Sequence, residues 1–218
     1  MRALFFLLLL ALTGCGGGGG GSNAGDSDTG QPFGLDARAT PSGVQIPIDA
    51  ASSGPLTIVN AFANLQFNGP VVLTHAGDGS NRLFVAERSG AIKVFANSSS
   101  TTQATTVLDL ESRVDSEGGE SGFLGMAFDP NFRSNRTFYV SYATKGTTPR
   151  KVRLARYRIS STDPNAVEAN SERVLLEMDH ANAYHFGGWI GFGPDGLLYM
   201  THGDGGNLEQ VQSTTSLF

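Results

Sequence analysis

Short apolar runs that alternate with polar residues fill the chain from Pro55 onward. Alternation with period two places every second side chain on one face, and it predicts half-buried β-strands. Glycine, asparagine, aspartate and proline separate the runs, as turn residues do between strands. The pattern predicts strands at residues 71–74, 83–87, 91–95, 106–110, 124–128, 137–143, 152–159, 173–178, 189–192 and 197–201.

Local chemistry refines this pattern at three places. Ser89-Gly90 and Asp195-Gly196 are pairs that favour hairpin turns with positive φ. In "KVRLARYRI" the apolar positions change phase around Ala155, which predicts a β-bulge. The stretch "AVEANSERVLLEM" has the nearest approach to a helical stripe and leaves strand and helix open.

The predicted strands fall into groups of four, each group about 40–50 residues long, which favours an all-β protein of the β-propeller type. The sequence then holds two full blades and half of a third. Each blade buries its faces against two neighbours, so this number of blades does not close a ring. We therefore expect residues 55–218 to be the N-terminal part, about two and a half blades, of a longer propeller. A complete small β-sandwich is the competing interpretation.

The chain begins "MRALFFLLLLALTGC", a basic residue followed by an apolar run that is too short to span a bilayer. The run predicts a signal peptide over residues 1–14, and its end resembles the bacterial lipobox, in which the cysteine carries lipid. We expect Cys15, the single cysteine of the chain, to be that residue. An ordinary secretory signal with a chance cysteine is the alternative.

Residues 15–54 are rich in glycine and polar residues and include six consecutive glycines. Ordering such a segment loses much backbone entropy, so we expect a disordered tether. Together with the lipid anchor, it predicts an exported protein held at the bacterial cell envelope, in the periplasm or on the outer membrane.

Charge and composition exclude several classes of partner. The formal net charge is −5, and nucleic-acid surfaces are usually basic, so we do not expect nucleic acid to bind. Hydrophobic residues make up 39% of the chain, which supplies a core but not a multi-spanning membrane protein.

Three segments resemble the glucose/sorbosone dehydrogenase family, which includes soluble sugar dehydrogenases that depend on pyrroloquinoline quinone and the hedgehog-interacting proteins. They are "GPVVLTHAGDGSNRLFVAERSGAIKVF" at 69–95, "GGESGFLGMAFDPNF" at 118–132 and "HFGGWIGFGPDGLLYMTHGDGGN" at 185–207. The third is long and gapless, and is therefore a specific signal. The resemblance covers residues 56–218. It implies a six-bladed propeller with the quinone over its central channel.

The resemblance also implies roles for individual residues. His185 corresponds to the histidine that removes the sugar hydroxyl proton, and Asp204 to the aspartate that orients this histidine. Glu120 falls where some members place a glutamine that touches the cofactor. Calcium, which family members bind, is implied only through ligands outside these segments.

The residues themselves permit this chemistry. A histidine of near-neutral pKa is suited to accept a hydroxyl proton, and a carboxylate fixes its tautomer. A hairpin turning at Asp195-Gly196 brings His185 and Asp204 to the same sheet edge. Gly187 and Gly188 lack a Cβ, and we expect them to let a flat cofactor approach the backbone.

Other interpretations of these residues stay open. His185 is alternatively a hydrogen-bonded structural histidine, and Asp204 a residue that caps its own loop. A zinc site would have to use His180, His185, His202 and Asp204, whose spacing matches no standard ligand pattern. Asp78 and Asp195 lie in glycine-rich loops that lack the spaced oxygen ligands of an EF-hand, which favours surface turns over calcium sites.

The sequence departs from the family at the neighbours of the histidine, where many members have asparagine and this chain has Tyr184 and Phe186. Polar contacts to substrate or cofactor are then missing or replaced by aromatic stacking. Two hypotheses follow. The first is an exported, quinone-dependent aldose dehydrogenase whose N-terminal part is inactive alone. The second is a non-catalytic propeller that binds carbohydrate or protein at the cell surface.

Overall fold

Ten strands in three antiparallel sheets form the part of the chain that the computed structural model describes, residues 57–180 and 182–206. The predicted signal peptide, Cys15 and the tether lie outside the described residues. The first sheet comprises β1 (Pro70–Thr74), β2 (Arg82–Glu87), β3 (Ala91–Ala96) and β4 (Thr105–Asp109). The second comprises β5 (Phe123–Phe128), β6 (Thr137–Ala143), β7 (Lys151–Arg158) and β8 (Arg173–Asp179), and the third β9 (Gly187–Phe192) and β10 (Leu198–His202).

Each four-stranded sheet is an up-and-down meander whose strands pair in chain order. The first strands of the three sheets, β1, β5 and β9, lie side by side, with β5 between the other two. This is the arrangement of neighbouring propeller blades. All ten predicted strands are confirmed to within two residues at each end. The all-β propeller class is confirmed as well.

The core lies between the sheets. Phe84 and Ile92 of the first sheet are fully buried against Phe138 and Val140 of the second. Leu154 of the second sheet packs with Ile190 of the third. Alternate residues along each strand supply these contacts, which is why the period-two pattern identified the strands.

Details of the register follow the sequence closely. The pairing of β7 with β8 shifts between Leu154 and Ala155, so the predicted bulge is confirmed. Gly90 and Gly196 have φ of 117° and 78° and lie in the predicted turns. The second half of the ambiguous stretch, residues 173–178, is extended and contributes most of β8, whereas the first half contains a turn at Asn170.

The four-residue helix α1 (Phe132–Asn135) between β5 and β6 was not predicted. It buries Phe132 and ends at Arg136, whose φ of 55° is left-handed. A helix of one turn carries no periodic stripe, which explains why the pattern did not reveal it. Within residues 57–180 and 182–206, no helix is long and apolar enough to cross a membrane.

The second and third sheets approach each other most closely at β5 and β9. A Cβ on Gly125 would lie 2.2 Å from the carbonyl oxygen of Gly188, so only glycine fits there. The buried hydroxyl of Ser141 donates a hydrogen bond of 2.9 Å to the same oxygen. This contact fixes the position of β9 against the second sheet.

Replacing Ser141 by alanine should therefore destabilise the fold. The substitution removes the donor to a buried carbonyl, which costs about 1–3 kcal/mol in the free energy of unfolding. Ser134→Ala is the matched control, because Ser134 is exposed and donates to Asn131 within its own turn. It should change stability by less than about 0.5 kcal/mol. Urea unfolding measures both, and equal midpoints for the two variants would contradict the assigned contact.

Candidate functional site

The loops that precede β5 and β9 lie side by side at one edge of the sheets. The backbone N–H of Glu120 donates to the carbonyl oxygen of Ala183 at 3.0 Å. Arg88, at the end of β2, donates to the carbonyl oxygens of Gly118, Gly119 and Ser121 at 2.7–2.8 Å. Residues that flank strands of all three sheets therefore meet at this edge, which we call the rim.

His185 and Asp204 are in contact at the rim. The antiparallel pairing of β9 with β10 brings them together although they are 19 residues apart, and Nδ1 of His185 lies 2.6 Å from Oδ1 of Asp204. The His185 side chain is 49% exposed and that of Asp204 13%. The predicted proximity is thus present, with the imidazole open to solvent.

The two groups influence each other's protonation. The hydrogen bond that His185 donates to Asp204, followed by the negative charge of Asp204, raises the pKa of His185 above its usual value. The backbone N–H of Gly206, and then the His185 side chain, lower the pKa of Asp204. Asp204 is therefore ionised near neutral pH and holds the proton of a neutral His185 on Nδ1. Nε2 is left as a proton acceptor.

His185 has an unusual backbone conformation. Its φ of 60° is left-handed, a region that non-glycine residues rarely occupy. The loop after β10 approaches it so closely that a Cβ on Gly203 would lie 1.8 Å from the His185 carbonyl oxygen. Strain of this kind persists only where surrounding contacts determine the conformation, and it is common at functional sites.

Glu120 contacts His185 through the backbone. Its exposed carboxylate accepts a hydrogen bond of 2.7 Å from the backbone N–H of His185. The resemblance implied contact with a cofactor, and that role stays a prediction. No local pattern indicates this contact with His185, since it joins two loops 65 positions apart in the chain.

Gly187 and Gly188 have a structural reason to be glycine. Their φ values are 74° and 123°. A Cβ on Gly187 would lie 2.7 Å from Cα of His202, and one on Gly188 would lie 2.6 Å from Cβ of Leu124. The space beside each glycine is thus filled by the chain itself. Contact with a cofactor stays a prediction for both.

The aromatic neighbours of His185 point in different directions. Tyr184 is 57% exposed, whereas Phe186 is 1% exposed and belongs to the core between the second and third sheets. Phe186 stacks on the buried ring of His180 at 3.9 Å between centroids. The interpretation that Phe186 stacks on a sugar or quinone is therefore wrong, because its ring is enclosed. Tyr184 remains available for stacking.

His180 supports the loop that precedes His185. Its Nε2 lies 2.9 Å from the carbonyl oxygen of Tyr184, and burial lowers its pKa. The ring of His202 meets it edge-on at 5.4 Å. Both histidines were considered only as zinc ligands from the sequence, and this supporting role was not predicted. Among residues 57–180 and 182–206, no group of three or more His, Cys, Asp or Glu side chains is arranged to hold a metal ion.

The two acidic loop residues considered for calcium serve their own turns. Asp78 accepts hydrogen bonds from the backbone and hydroxyl of Ser80. Asp195 accepts from the backbone of Leu197 and, at 2.6 Å, from the hydroxyl of Tyr199.

Replacing Asp204 by asparagine should lower the pKa of His185. The substitution removes the carboxylate that stabilises the imidazolium, so the neutral form persists to lower pH. Asp195→Asn, in the same hairpin but bonded to Leu197 and Tyr199, is the matched control and should leave the His185 titration unchanged. NMR titration of the His185 ring measures this. An unchanged or higher pKa in the Asp204 variant would contradict the pairing.

Comparison with known proteins agrees with this fold. The family model for Glucose / Sorbosone dehydrogenase matches residues 67–218. Hedgehog-interacting protein of Mus musculus is 37% identical over 145 residues, which cover 62% of this chain and 21% of that protein. Quinoprotein glucose dehydrogenase B of Acinetobacter calcoaceticus is 28% identical over 148 residues, covering 65% of this chain and 30% of that protein.

Solved structures show the same architecture. The PQQ-bound form of the aldose sugar dehydrogenase from Streptomyces coelicolor superposes with a TM-score of 0.57 at 24% identity, covering 70% of this chain and 43% of that one. The chain thus spans between about a fifth and a third of the length of the two relatives above. The chain belongs to the glucose/sorbosone dehydrogenase family.

Proposed function

We propose that this chain is part of an exported, lipid-anchored aldose dehydrogenase that uses pyrroloquinoline quinone, with His185 as the base. The observation that carries the proposal is the exposed imidazole whose Nδ1 is bound to Asp204 at 2.6 Å. The PQQ-bound aldose sugar dehydrogenase with the same fold supports the choice of cofactor class. The substrate class, an aldose, rests on the same relatives.

The proton transfer follows from the geometry of the pair. Neutral His185 accepts the hydroxyl proton of the sugar at Nε2, while Asp204 keeps Nδ1 protonated and stabilises the imidazolium that forms. A quinone, when bound, would supply the hydride acceptor. Because imidazolium cannot accept a proton, the rate should rise with pH through the raised pKa of His185.

The described residues include groups suited to contact a sugar, but their arginines are less suited to bind the carboxylates of the quinone. His185 offers an open base, and the exposed ring of Tyr184 offers a flat surface for a sugar or a quinone. The guanidinium of Arg88 donates to three carbonyl oxygens, and that of Arg150 donates to Asp115 and to the carbonyl oxygen of Asn182. We therefore propose that the cations for the quinone's carboxylates come from residues outside the described part.

A non-catalytic propeller that binds a carbohydrate or a protein is the second candidate. It is favoured by the identity of 37% with Hedgehog-interacting protein, against 28% with Quinoprotein glucose dehydrogenase B. The burial of Phe186 beside the base agrees with it too, because no polar side chain replaces the family's asparagine there.

Quinone binding and turnover distinguish the two candidates. The protein, in its longest natural form, should bind pyrroloquinoline quinone and reduce a dye with aldoses. His185→Ala should retain quinone binding but lower kcat by about 10²–10⁴-fold, the usual effect of losing a general base. His75→Ala is the matched control, since His75 is an exposed histidine on the loop after β1. It should retain both properties.

Each of two results would contradict one part of the proposal. A folded protein that does not bind the quinone supports the binding propeller. Turnover that survives in His185→Ala removes His185 as the base.

Membrane attachment tests the proposed location. Cys15→Ser removes the thiol that accepts lipid. Two lipid chains on one residue give stable membrane anchoring, so the variant should move from the membrane fraction to the soluble fraction of the envelope. Fractionation with detection of the protein measures this, and Ser22→Ala in the tether serves as the control. An unchanged distribution would argue for an ordinary secretory signal.

A further inference from the structure

We infer that Glu120 is a positioning residue for the base, and that it acts by holding the backbone of His185 in its left-handed conformation. The inference rests on the proposed role of His185 for its catalytic consequence. That Glu120 holds the backbone of His185 is inferred from contacts at the rim alone.

The hydrogen bond itself restricts the backbone of His185. The Glu120 carboxylate accepts the backbone N–H of His185 at 2.7 Å, a charge-assisted bond between two loops of different sheets. The backbone N–H is the group whose direction changes with φ of this residue. A carboxylate fixed in front of it therefore selects one conformation, here φ of 60°.

The backbone of Glu120 is itself fixed. Its own backbone N–H donates to the carbonyl oxygen of Ala183, two residues before His185. Arg88 binds the carbonyl oxygens of the residues on both sides, at Gly119 and Ser121. Between them, the loops approach so closely that a Cβ on Gly119 would lie 2.6 Å from the Ala183 carbonyl oxygen. The carboxylate thus projects from an anchored loop.

Glu120 and Asp204 contact different parts of His185. Asp204 binds the ring at Nδ1 and orients it, whereas Glu120 binds the backbone and leaves the ring free. Glu120 and Asp204 together fix the backbone and the ring of His185, and Nε2 is directed away from Asp204. Asp204 determines the tautomer of the base, and Glu120 determines the position of its imidazole ring.

Two substitutions separate the hydrogen bond from the charge. Glu120→Gln retains an oxygen that can accept the N–H but removes the negative charge, whereas Glu120→Ala removes both. Glu117→Ala is the matched control, because Glu117 is a carboxylate in the same loop that pairs with exposed Lys145. All three are measured in the full chain by NMR, through the His185 amide proton and its hydrogen exchange.

We expect Glu120→Ala to speed exchange of the His185 amide by about tenfold, the factor for losing one charge-assisted hydrogen bond. Glu120→Gln should restore the wild-type rate to within about threefold, and Glu117→Ala should not change it. Exchange unaffected by Glu120→Ala, or equally affected by Glu117→Ala, would overturn the inference. So would a failure of Gln to restore slow exchange in a folded protein.

Turnover gives an independent second measurement. Glu120→Ala should lower kcat by about tenfold to a hundredfold through misplacement of the base, and Gln should recover it. With Gln, the rising limb of the pH profile should move to lower pH, because the Glu120 charge contributes to the raised pKa of His185. Altered amide exchange in a protein that never turns over aldoses would refute the proposed function and leave the structural role of Glu120 standing.

Discussion

The close approach of β5 and β9 determines where every group of the site lies. Gly125 and Gly188 allow the two strands to meet without side chains between them, and Ser141 donates across the gap. The loops that precede these strands are brought together as a result. The hydrogen bonds between Glu120, Ala183 and His185 all depend on this single packing contact.

Much of the fold could be predicted because its core obeys a local rule. Apolar side chains alternate along each strand, so the ten strands and the bulge at Ala155 were visible in the sequence. The hairpin between β9 and β10 could be predicted from its Asp-Gly turn, and with it the meeting of His185 and Asp204. The family resemblance then implied that His185 is a base and that Asp204 orients it.

The remaining features depend on contacts between sheets, which no local pattern records. In the sequence, Phe186 is one of two aromatic neighbours of the base. In the structure, its ring is enclosed against His180, whereas Tyr184 is exposed. The two glycines after it look suited to a flat ligand, yet the chain's own atoms fill the space beside them. Glu120 contacts His185 across 65 residues of sequence. Such contacts follow from how one sheet stacks on the next.

The left-handed backbone of His185 has a consequence for how the ring is built into the protein. This conformation is natural for glycine, and the bonds of Glu120 and the approach of Gly203 concern only main-chain atoms of the residue. The scaffold at position 185 is thus complete without a side chain. A glycine there would relieve the strain of the backbone and leave an opening the size of an imidazole beside Asp204. The backbone contacts at this position therefore do not depend on the imidazole ring.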